Sequence, residues 1–146
     1  MISLYNNTES LKNFKKANQQ VGILERKTPV MANDFFEKIK KYPHSISGVV
    51  SKNTSIEDIY TLLNNELSDE IKSEPFYGNW LEDMSKISQL FCNILGDKSI
   101  SFWLGSQRGC KRYHVDMVPY RLLVTYAGKG TELLPDRAAN RKAFVN

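Results

Sequence analysis

The sequence predicts an α+β protein, with helices packed outside an antiparallel sheet. Three observations predict it. Residues 80–95 place Leu81, Met84, Ile87, Leu90, Phe91 and Ile94 at three- and four-residue steps, the period of a helix buried on one face. Residues 45–51 (SISGVVS) and 100–104 (ISFWL) alternate and are rich in β-branched or aromatic side chains, the period of strands. The helical period dominates before Gly96 and the two-residue period after it, with no linker or repeat between them. A length of 146 residues fits one domain.

Taken in order, residues 1–18 are polar and rich in Asn, Ser and Lys, and read as a flexible N-terminal arm with one helical turn near Leu11. Residues 19–146 read as the single domain. Residues 21–24 are a short strand closed by Arg26-Lys27-Thr28-Pro29. Residues 31–39 are helical, with Asn33 and Asp34 as caps and Phe35, Phe36 and Ile39 on one stripe. Residues 54–67 open with a capping-box spacing, Thr54 to Glu57, and continue through Ile59, Leu62 and Leu63. Gly96-Asp97 stops the long helix, which holds Cys92 as a small buried apolar residue. Residues 113–117 and 121–126 are further strands, and Gly128-Lys129-Gly130 is a turn.

Composition excludes several classes. Twenty basic against sixteen acidic residues leave a charge of +4, spread in short mixed clusters rather than one stripe, so nucleic acid is not an expected partner. Two cysteines make neither a disulfide framework nor a closed zinc quartet. The first residues lack a signal-peptide pattern and no apolar run reaches about 18 residues, so no membrane contact and a cytoplasmic location are expected.

The chemistry concentrates at His114-Val115-Asp116. The chain has two histidines, and this one stands two residues before a carboxylate in a strand-like run. Strand residues i and i+2 share a face, with Cα atoms roughly 6.6 Å apart, so the two side chains can converge on one divalent ion. Two such ligands with a further histidine make the facial triad of non-haem iron oxygenases. If residues 110–116 form one strand, Cys110, Arg112, His114 and Asp116 share a face, and burying that face requires a partner for every group. Cys110 lies about 13 Å from His114 in an extended strand, too far for one ion unless the chain bends near Gly109. Arg112 and Arg121 are the nearby cations whose planar forks suit a co-substrate carboxylate, or a surface ion pair. His44, within Tyr42-Pro43-His44-Ser45, reads as an exposed turn residue, and it is the only other histidine able to complete a triad in this chain.

The stretch Cys110-Lys111-Arg112-Tyr113-His114-Val115-Asp116, with Pro119, Arg121 to Tyr126, Gly128, Gly130-Thr131-Glu132 and Leu134-Pro135, resembles an uncharacterised bacterial family, domain of unknown function 1826. Residues 21–26 also resemble its opening strand. The resemblance implies a His-x-Asp ligand set similar to that of 2-oxoglutarate/Fe(II) oxygenases on a double-stranded β-helix. The fold expected is therefore N-terminal helices packed on an antiparallel, partial double-stranded β-helix (cupin-like) sheet. Family members continue past the Leu-Pro pair to a later histidine, whereas this chain stops at Asn146. The expectation is a C-terminally truncated chain without its distal ligand and last strands, whose open strand edges invite a homodimer.

Three functions follow as expectations. The first is a metal-binding protein of oxygenase-like architecture with an incomplete site: His114 and Asp116 on Fe(II), Arg121 or Arg112 on 2-oxoglutarate, Thr125 and Tyr126 lining the pocket. The second is zinc-linked metal handling without turnover, with Cys110 as an added ligand; some family members lie near zinc-responsive metal-chaperone genes. The third is a non-enzymatic interaction module. No catalytic residue and no substrate can be named from the residues.

Overall fold

The computed structural model describes residues 2–106 and 118–130. The class is α+β. In chain order the elements are β1 (Ile2–Tyr5), α1 (Thr8–Leu11), β2 (Val21–Leu24), α2 (Asn33–Lys41), β3 (Ser45–Ser51), α3 (Ser55–Asn64), α4 (Asp69–Lys72), α5 (Tyr77–Leu95) and β4 (Ser99–Gly105), with short 3-10 turns before α2 and α3 and after α1.

The first element departs from the sequence reading. Residues 2–5 do not hang loose: β1 pairs in parallel with β2, Ile2 opposite Val21 and Tyr5 opposite Leu24. Polar composition hides this strand, because it turns Ser3 and Tyr5 inward and leaves Ile2 and Leu4 exposed. The rings of Tyr5 and Phe14 lie so close over Gly22 that a Cβ there would meet them at 2.7 and 3.0 Å. Asn7 caps α1, its side chain accepting from the Ser10 amide at 2.8 Å.

β3 and β4 form the antiparallel pair expected from their alternation. Ile46 faces Leu104, Gly48 faces Phe102 and Val50 faces Ile100 on the inner side; Ser47 with Trp103 and Val49 with Ser101 occupy the outer side. Gly48 is small for a packing reason: a Cβ there would meet Leu62 of α3 at 2.4 Å. The sheet therefore lies close on α3. Lys52 donates to the Lys98 carbonyl and Ser106 to the His44 carbonyl, which sets the phase of the ladder. By that phase, the main-chain groups of Ser99, Ser101, Trp103 and Gly105 point to the other edge of β4. No described strand pairs with that edge. A double-stranded β-helix needs more strands than these two pairs supply.

The helices follow their apolar stripes. Phe35, Phe36 and Ile39 of α2, Ile59 and Leu63 of α3, and Trp80, Leu81 and Met84 of α5 are buried together with Ile46 and Val50. Neither α2 nor α3 uses the cap its sequence suggests. Asn33 is the first helical residue and Ala32 stands at the cap. Thr54 instead donates its hydroxyl to Asp58 at 2.9 Å, and the same carboxylate oxygen accepts the Ser51 amide at 2.8 Å, tying the end of β3 to α3. α3 stops at Asn64, and Ser68 caps the separate α4. Ser55 and Ser85, both buried, share a hydrogen bond at 2.5 Å, with Gln89 donating to Ser55 at 3.0 Å. This bridge joins α3 and α5 through a core where an unpaired hydroxyl would be costly.

Residues 121–126, expected as a strand, have Leu122 and Tyr126 half-buried but join no ladder among the described residues. Alternation alone predicts an extended chain; pairing needs a neighbour at hydrogen-bonding distance. The turn expected after them is present as a bend, with Gly128 at φ 78°. The strand expected at residues 113–117 lies outside the described residues.

Gly96 ends α5 in the left-handed region at φ 74°, and a Cβ there would meet nothing within 4 Å. Gly96→Ala therefore isolates a backbone cost. We expect a loss of about 1 kcal/mol in urea unfolding, with an unchanged denaturant slope.

Candidate functional site

Met84, Ile87, Ser88 and Phe91 of α5, all of residues 100–104 of β4, and Leu122, Val124 and Tyr126 enclose a cavity of about 130 Å³. Five consecutive strand residues line it, alternately from the inner and the outer face. The cavity therefore runs along the edge of β4 that faces away from β3. Its described lining is apolar and aromatic with two serines and one tyrosine, and holds no charged side chain. Its volume is below the roughly 300 Å³ at which drug-sized ligand pockets begin, so it suits a small apolar group.

Tyr126 fastens the 121–130 segment to the helical body. Its ring lies 5.5 Å from that of Phe36 and 6.0 Å, edge-on, from Trp80. Its hydroxyl donates to Asp83 Oδ2 at 2.6 Å. Arg26, two residues past β2, grips the same carboxylate with both terminal nitrogens, at 2.8 and 3.0 Å. Burial works to raise the Asp83 carboxyl, but the hydrogen bonds from Arg26 and Tyr126 outweigh it and hold the group below the ordinary carboxylate value. Burial, and then donation to Asp83, push the Tyr126 phenol well above its ordinary value. Arg26, Asp83 and Tyr126 thus join β2, α5 and the 121–130 segment.

Sequence reasoning missed this clasp. The one signal was Asp83 itself, a carboxylate beside Met84 and three residues after Trp80 on the buried helix. Nothing in the spacing links it to Arg26, 57 residues away.

The residues read from the sequence as a site are divided by the description. His114, Asp116, Cys110 and Arg112 lie outside the described residues. Tyr126 lines the cavity, but its hydroxyl is committed to Asp83. Thr125 is exposed, its hydroxyl against Gly130, and Arg121 is exposed and not part of the lining. No group of three metal-ligating side chains occurs among the described residues.

His44 is not the exposed turn residue its context suggests. It is half-buried immediately before β3. Its amide donates to Ser106 Oγ at 2.9 Å, and its carbonyl accepts from the Ser106 amide at 3.1 Å and hydroxyl at 3.3 Å. Its ring stacks on Tyr42, centroids 6.4 Å apart, and Nδ1 lies 2.6 Å from the Tyr42 carbonyl. Cys92 is fully buried and burial pushes its thiol up, as befits an inert core residue. No described helix is long and apolar enough to cross a membrane.

These features define a small α+β protein whose sheet edge, long helix and clasped 121–130 segment line an apolar cavity. A family model described as protein of unknown function (DUF1826) matches residues 6–146, and the chain belongs to that family. No curated protein and no solved structure matches the chain.

Two outcomes test the clasp. Tyr126→Phe keeps the ring and removes the donor; because Asp83 is partly exposed, we expect a loss of about 1–2 kcal/mol in urea unfolding. The pH dependence has a defined sign. Asp83 is depressed in the fold, so the unfolded chain binds its proton more readily. Its contribution is present above about pH 4 and is lost as pH falls through the depressed folded value. Asp83→Asn should flatten that acid limb of the stability curve.

Proposed function

We propose that this protein binds one divalent metal ion through His114 and Asp116, in oxygenase-like fashion. The observation that carries the reading is the His-x-Asp pair at strand spacing. In sequence the pair stands between two stretches that contribute to one cavity, residues 100–104 before it and Leu122, Val124 and Tyr126 after it. A partial double-stranded β-helix belongs to the same proposal, with residues 113–117 as one of its strands. In it Arg112 or Arg121 would hold the carboxylate of 2-oxoglutarate, next to Thr125 and Tyr126.

One observation favours zinc handling without turnover as a second reading. The described cavity lining holds no cation, and Arg121 is not part of it, so nothing described there clamps a carboxylate. In that reading Cys110 joins His114 and Asp116, and its thiolate selects Zn(II). The edge of β4 away from β3, with which no described strand pairs, is where a second copy would add its own strand.

Anaerobic calorimetry with Fe(II), Mn(II) and Zn(II) tests the site. We expect one ion per chain at micromolar affinity or tighter, lost in His114→Ala. Preference for Fe(II), with Cys110→Ser unaffected, supports the oxygenase-like form. Preference for Zn(II) that weakens in Cys110→Ser supports metal handling. Unchanged binding in His114→Ala removes both.

A further inference from the structure

We propose that the cavity between α5 and β4 binds one small, neutral, apolar molecule of benzene size, and that residues 118–130 are the lid through which it enters. The inference stands apart from the metal reading, because none of its residues is a proposed ligand of the ion.

The cavity sets the chemistry of the guest. Its volume of about 130 Å³ is close to the roughly 150 Å³ at which apolar cavities in protein interiors take up benzene or xenon. Its described lining holds no charged side chain, so a charged guest would give up its water without a counter-charge there. Phe91, Phe102 and Trp103 offer ring faces and edges, which suit an aromatic guest. Ser88, buried on α5, brings a hydroxyl to the wall, so one polar substituent of phenol type is accommodated.

The two walls are held with different firmness. One is built into the body of the fold. Met84 and Ser88 are buried on a helix of 19 residues, and β4 is laddered to β3 from Ser99 to Gly105. The other wall is Leu122, Val124 and Tyr126. It belongs to a segment that joins no ladder among the described residues, and from 118 to 125 every residue but Leu122 is exposed. Tyr120 holds the segment near its start, with the Lys15 ammonium 5.5 Å from the centre of its ring. Tyr126 holds it further on, through its packing on Trp80 and Phe36 and its bond to Asp83. A segment with few buried side chains opens locally while the rest of the molecule stays folded. The Tyr126–Asp83 bond exists only when the lid is shut, so it sets how rarely the lid opens. Arg26 holds the acceptor in place for it.

Benzene, titrated into the full chain and followed through its methyl resonances, tests both parts. We expect saturable shifts at Met84, Ile87, Leu122 and Val124, and none at Ile59 on α3. Tyr126→Phe keeps the ring and removes the bond. Benzene should then enter and leave about tenfold faster, by exchange spectroscopy, because a hydrogen bond to a carboxylate no longer opposes opening. Its affinity should change by less than about threefold, because the shut form still dominates. Ser88→Leu and Val124→Phe fill the cavity from opposite walls, and each should abolish the shifts, with thermal unfolding to check that the variant is folded. No saturable shift in the parent chain, or shifts that survive both filling variants, overturns the site. Unchanged exchange in Tyr126→Phe, or weaker binding without faster exchange, overturns the lid and leaves Tyr126 a structural contact.

Discussion

The burial of Trp80 against Phe35 is the contact on which the rest of the structure depends. The two rings meet edge to face at 5.2 Å, and each is about 1% exposed. Edge-to-face packing sets the positive rim of one ring against the negative face of the other, so it favours one geometry beyond simple area burial. Phe76 and Phe36 continue the cluster, with Phe35 5.8 Å from Phe76 and Phe36 5.6 Å from it. Tyr126 closes it from the opposite side. Through these rings α2, α5 and the 121–130 segment share one core, although nearly a hundred residues lie between Phe35 and Tyr126.

That core explains the clasp and the cavity together. Tyr126 must bring a phenolic hydroxyl with it, and a buried hydroxyl needs an acceptor. Asp83 supplies one, and a half-buried carboxylate in turn needs a cation, which Arg26 supplies with a two-pronged grip. Each polar group is satisfied by the next, so the segment is held without an unpaired charge. Leu122 and Val124 are thereby held across from β4, and the gap between them is the cavity. Trp103, with its indole N–H donating to Ser45 at 3.1 Å, lies over Gly105 and forms the outer rim of the same edge.

The helical core was legible because it repeats. The stripe at residues 80–95 marked α5, whose observed start at Tyr77 extends it by three residues. Residues 45–51 and 21–24 matched β3 and β2 in full. Caps were less legible: Thr54 turned to Asp58 rather than to the helix amides, since either acceptor satisfies a short hydroxyl side chain. β1 was invisible because its inward residues are a serine and a tyrosine. His44 looked like a turn residue because Pro43 precedes it; its bonds to Ser106 exist only once β3 and β4 are paired.

By itself, the sequence determined the α+β class, the amphipathic helices, most strand positions, the inert buried Cys92 and the singular His114-x-Asp116 pair. All of these are encoded within a window of a few residues, where periodicity and residue type act directly on the chain. Only the tertiary structure decided that residues 2–5 pair with β2, that residues 121–126 join no ladder among the described residues, that Arg26 and Tyr126 meet on Asp83, and that His44 stands anchored beside Ser106. Each of these joins positions far apart in sequence, through packing and desolvation that no local pattern records.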